Sequence, residues 1–108
     1  MSISRLLLAS LLTLLAFISI KSFADNGVVV RRFSGCDYFI ADGDRGLYVL
    51  EWYGGYDPDE GDRIVGDISS YGFADVYYPD ARREGRVYVE DYLESASAAM
   101  DEINDHCN

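Results

Sequence analysis

The chain has 108 residues, with nine basic residues against 19 acidic ones and a net charge of −10. That balance excludes nucleic acid and anionic lipid as partners, since both are held by lysine and arginine surfaces. Nine tyrosines, five phenylalanines and a tryptophan exclude disorder, because disordered chains are poor in aromatics.

The first 24 residues read as an export signal and not as part of the fold. Arg5 supplies the positive n-region, and Leu6–Ile20 is a 15-residue apolar run. Ser22-Phe23-Ala24 then places small residues at the −3 and −1 positions of a signal-peptidase site. A membrane span needs about 20 apolar residues. The segment is therefore expected to be cleaved after Ala24, with no membrane insertion once the signal is removed. Residues 25–108, 84 in all, form one small exported domain, periplasmic or secreted. Without Arg5 and Lys21, seven arginines face 19 acids, a net charge of −12.

In chain order, VVVRRF and CDYFIA form the first extended region, bent at Gly35. ADGDRG carries an Asp-Gly turn. The next strand, GLYVLEWY, puts Tyr48, Leu50 and Trp52 on one face and Leu47, Val49, Glu51 and Tyr53 on the other. DRIVGDI directs Ile64 and Ile68 one way across Gly66 and Arg63, Val65 and Asp67 the other, and the glycine marks a sharp bend or a close backbone approach. GFADVYY follows, then the polar turn PDARREG, then the strand RVYVEDY. The Gly-Asp openings at Gly61-Asp62 and Gly66-Asp67 resemble, in pattern, those of small SH3-like or OB-like barrels.

The C-terminal segment changes period. Leu93, Ala96, Met100, Ile103 and Cys107 step by 3, 4, 3 and 4, one face of a helix. Asp91 and Glu94 fit a relaxed capping box, so the helix is expected to start near Tyr92 and run to about His106. Cys107 lies on the apolar stripe and can reach Cys36, giving a disulfide of the kind that small exported domains use as a staple. The fold class expected is α+β: a strongly bent antiparallel sheet or small open barrel of about five strands, with one C-terminal helix packed on it.

The stretch WYGGYDPDEGD supplies the candidate interaction surface: Trp52, Tyr53, Tyr56, Asp57, Asp59, Glu60 and Asp62. Aromatic walls with a few polar groups suit a ligand or a protein partner. An EF-hand reading fails, because a loop begun at Asp57 has Gly61 at position 5 and Ile68 at position 12. Asp57, Asp59 and Asp62 remain candidates for an irregular metal site. Arg82, Arg83 and Arg86 would join Arg31 and Arg32 in a basic patch if the first and last strands pair. There is one histidine, His106, with no histidine pair and no nucleophile elbow, so no catalysis and no cofactor are expected.

The expected function is a non-catalytic binding module that inhibits or neutralises a cationic envelope or secreted protein. Cell-wall saccharide or calcium binding through residues 52–62, and a structural role as accessory subunit of an envelope complex, are the alternatives.

Overall fold

The computed structural model describes residues 24–108. The signal read in residues 1–24 thus lies, apart from Ala24, outside the described residues. Six strands follow: β1 (Asp25–Arg32), β2 (Tyr38–Gly43), β3 (Gly46–Gly55), β4 (Arg63–Gly66), β5 (Gly72–Tyr78) and β6 (Arg83–Glu94). One helix, α1 (Ala96–Cys107), ends the chain. All pairings are antiparallel and close a barrel in the order β1-β2-β3-β6-β5-β4, with β4 returning to β1. The small barrel, the single C-terminal helix and the disulfide match the expected class. The first extended region divides into β1 and β2 at a turn where the Cys36 N–H donates to the Phe33 carbonyl. Closure leaves little free sheet edge, though Gly72–Asp75 of β5 pairs only with β6.

Period-two alternation builds the interior. Tyr48 and Leu50 of β3, Val87 and Val89 of β6, and Val76 and Tyr78 of β5 point inward. They meet Val29, Phe39, Ile64 and Ile68 in one core, with Trp52 half-buried against it. Where the apolar run is continuous instead, as in Phe39-Ile40-Ala41 and Tyr48-Val49-Leu50, all three residues are buried. Such strands are covered on both faces. The outer cover is α1, whose Ala99 and Ile103 pack on Ile40 and Val49. Burying Ile103 contributes about 1.5–3 kcal/mol. That is a modest hold for a 12-residue helix.

Cys36 and Cys107 add a covalent one. They are joined with their Cα atoms 5.5 Å apart, tying the end of α1 to the β1–β2 turn. Gly66 is the close approach its position suggested. A Cβ there would stand 2.8 Å from Val76 Cγ1 and 2.9 Å from the Asp75 carbonyl oxygen. β4 and β5 meet there in only two register pairs, Val65 with Tyr77 and Gly66 with Val76.

Two expectations need correction. The helix starts at Ala96, not near Tyr92, and Ser95 is its N-cap, accepting the Ala98 N–H at 3.3 Å. The strand β6 continues to Glu94, which pairs with Leu47, and the chain turns at Leu93, whose φ of 64° is left-handed. Leu93 is exposed in consequence, Ala96 is exposed as well, and both leave the expected stripe, in which Ala99 joins Met100, Ile103 and Cys107. The basic patch does not form by strand pairing either. β1 pairs with β2 and β4, whereas β6 pairs with β3 and β5.

Candidate functional site

The segment from Trp52 to Asp62 leaves β3, packs beside β1 and is bonded largely to itself. Trp52 Nε1 donates to the Tyr56 carbonyl at 3.1 Å. The Tyr56 hydroxyl donates to Asp62 Oδ2 at 2.8 Å, and the same oxygen accepts the Asp59 N–H at 2.9 Å. The hydrogen bond to Asp62, with partial desolvation behind it, raises the Tyr56 pKa. Arg32 holds two more acids, through its guanidinium to Asp57 at 2.7 Å and its backbone N–H to Glu60 at 2.9 Å. Pro58 is fully buried. The Gly61 N–H donates to the Val29 carbonyl, and the Val29 N–H donates to that of Asp62. Asp57, Glu60 and Asp62 are therefore committed to partners within the fold, and the Asp57, Asp59 and Asp62 carboxylates do not converge as a set.

Among the described residues, the carboxylates that do converge are Asp91 and Glu94 of β6 with Glu102 of α1, with oxygens within 4.8 Å of one another. Burial, followed by the charges of Asp91 and Glu94, pushes Glu102 up to about 7. Glu94 is raised by its hydrogen bond to Asp91 and by burial. Burial would raise Asp91 too. The bonds it accepts from Glu94, from the Tyr92 N–H (2.9 Å), from Glu102 and from the Tyr71 hydroxyl (3.3 Å) outweigh it, and Asp91 ends lowered. Asp91 is thus favoured in its charged form, while Glu94 and Glu102 are shifted the other way. Sequence reading touched only the Asp91–Glu94 pair, as a cap. Glu102 joins it because β6 runs on and α1 folds back beside it.

A third constellation spans the outer face of the sheet. Tyr38 of β2, Glu51 of β3, Tyr88 of β6 and Phe73 of β5 are successive register partners, forming one row across four strands. Tyr53 stands beside the row, edge-on to Phe73 with ring centroids 4.8 Å apart. Phe73 and Tyr88 are likewise edge to face at 5.0 Å. The Arg86 guanidinium lies over the Phe73 ring at 5.0 Å and reaches Asp75 at 3.3 Å. Helix α1 bounds the row on the β2 side, where His106 stacks on Tyr38 at 4.2 Å and its Nε2 lies 3.6 Å from Glu90. Burial, then its hydrogen bond to Glu51, raises the Tyr38 pKa.

The structure thus divides the sequence-predicted surface. Tyr53 belongs to the outer aromatic row, while Trp52, Tyr56, Asp57, Asp59, Glu60 and Asp62 belong to the loop. Phe73, Tyr88 and Arg86 were not singled out as partners of Tyr53. Their signal was present in GFADVYY and RVYVEDY, where Phe73, Tyr77 and Tyr88 occupy positions at which a solvated face ordinarily carries polar groups.

Comparison with protein-family models, curated proteins and solved structures returned no match. The functional reading therefore rests on the chain's own residues.

Proposed function

We propose that this chain is a small, exported, non-catalytic binding module that engages, and by engaging inhibits or neutralises, a cationic protein of the periplasm or cell exterior. The observation that carries this reading is the charge arrangement. Of the seven arginines in residues 25–108, Arg32, Arg45, Arg63 and Arg86 are each paired with an acid of the same chain, leaving 15 acids against three arginines outside these pairs. Complementary fields raise association rates and reject like-charged competitors. The Cys36–Cys107 disulfide fits an oxidising compartment. No helix among the described residues is long and apolar enough to cross a membrane. Calcium or saccharide binding at residues 52–62 draws less support, because most of the loop's acids already have partners.

The test uses the exported product, purified with its disulfide intact and immobilised. Envelope and secreted proteins are passed over it and washed at rising salt. A basic protein retained beyond about 0.15 M, where exposed charges more than roughly 8 Å apart are largely screened, supports the reading. Release of every bound protein below that concentration refutes it and leaves the acidity as a solubility device.

A further inference from the structure

We infer that the outer face of β3, β6 and β5, centred on Tyr53, Phe73 and Tyr88, is where the cationic partner docks, and that it receives arginine or lysine side chains against its aromatic rings. This rests on the binding reading above and names the surface and the chemistry it recognises.

Exposure comes first. Tyr53 and Phe73 are 51 % and 52 % exposed, and Tyr77 on the same face of β5 is 42 % exposed. Scattered apolar side chains at a surface are ordinary, but rings in mutual contact across three strands form a patch. Helix α1 covers only the adjacent part of the sheet, over Ile40 and Val49.

Charge selects the occupant. Glu51 lies in the row between Tyr38 and Tyr88, and Asp75 stands one outward position along β5 from Phe73. The protein itself shows how a guanidinium is taken: Arg86 lies over one aromatic face with a carboxylate at its side. Tyr53 and Tyr88, whose rings are 6.4 Å apart, offer a second aromatic position beside the register position of Glu51, whose carboxylate also accepts the Tyr38 hydroxyl. Cations over aromatic faces are attracted by the ring quadrupole, and arginine most often fills the role.

Ring geometry argues against a flat sugar platform, since Tyr53–Phe73 and Phe73–Tyr88 meet at 85° and 82°. The strand order closes on itself and leaves strand addition only short unpaired stretches such as Gly72–Asp75 of β5. Side chains on a face offer the larger surface.

The test is an NMR titration of the isotopically labelled exported protein at 0.15 M salt with the peptide Gly-Arg-Gly-Arg-Gly-Arg. An acidic peptide of equal length and a chitin oligosaccharide serve as comparison probes. Saturable shifts concentrated at Glu51, Tyr53, Phe73 and Tyr88 are expected from the arginine peptide alone. E51Q, which keeps shape and removes the charge, should weaken binding several-fold. Y53S combined with Y88S should weaken it about tenfold or more, the usual loss when central aromatic anchors are removed. D101N combined with D105N removes two exposed helix charges and should leave affinity unchanged.

Equal weakening by the helix variants means that bulk charge alone binds, which overturns the docking site while sparing the binding reading. Shifts centred on Tyr56–Asp62 without Phe73 and Tyr88, preference for the saccharide, or no saturable binding also overturn it. The capture experiment decides separately whether a cationic partner is bound at all.

Discussion

Replacing Glu102 by glutamine tests the carboxylate trio. Its pKa is raised from 4.5 to about 7, so between those values the folded protein holds a proton that the unfolded chain releases. The stability this contributes is fully present below about pH 4.5 and is lost as the pH rises through 7. Taken whole, the displacement would be worth about 3 kcal/mol at 1.36 kcal/mol per unit. Glu102 is partly solvated, and its proton is shared with Asp91 and Glu94, so screening reduces the expected effect to about 1 kcal/mol. The lowered Asp91 has the opposite sign: its contribution is present above its ordinary value and disappears only as pH falls through the lower folded one.

For a domain of this size, 1 kcal/mol corresponds to a Tm change of about 4–8 °C. Thermal unfolding of the oxidised protein, followed by circular dichroism from pH 5 to pH 8, should therefore show the wild type losing that much. E102Q carries no charge to repel Asp91 and Glu94. It should hold its Tm across the range and exceed the wild type at pH 8. Histidine titrates in the same window, so the slope is also measured in H106Q, where it should persist. A wild type with flat stability, or an E102Q protein with the wild-type slope, would show that the trio does not carry a shared proton.

Two further outcomes follow from the staple and the seam. Loss of the Cys36–Cys107 bond, by reduction or in C36S/C107S, frees a 71-residue separation and should cost up to about 4 kcal/mol. The helical signal should melt before the barrel's near-ultraviolet signal, and a Tm unchanged by reductant would contradict this. G66A drives a methyl group into Val76 and the Asp75 carbonyl, and should cost about 1–3 kcal/mol in urea unfolding. A neutral result would mean that β4 and β5 can separate without penalty.

The parts of the fold visible in the sequence were those set by local period. Tyr48, Leu50 and Trp52 share an inward face because alternate residues of a strand must, and Met100, Ile103 and Cys107 share a helix face for the same kind of reason, whereas Ala99 was not read on that face and Ala96 was read there wrongly. The disulfide was readable because the chain's two cysteines have only each other. The helix start was not, because Asp91 and Glu94 imitate a cap. What decides the matter is distant: Leu47, far back on β3, pairs with Glu94 and keeps β6 extended.

The candidate surface was only half readable for a similar reason. Asp57 and Glu60 look free in sequence, yet their partner, Arg32, lies 25 and 28 residues upstream. Tyr53 meets Phe73 and Tyr88 only because β6 lies between β3 and β5, an order no local pattern states.

The covalent ring closed between Cys36 and Cys107 encloses β2 to β6 and nearly all of α1. A protease that cuts once anywhere within that ring produces no separate fragment. The two pieces stay linked through sulfur and stitched by the neighbouring strands, so one scission costs chain continuity but not composition. Shedding a piece takes a second cut or a reductant.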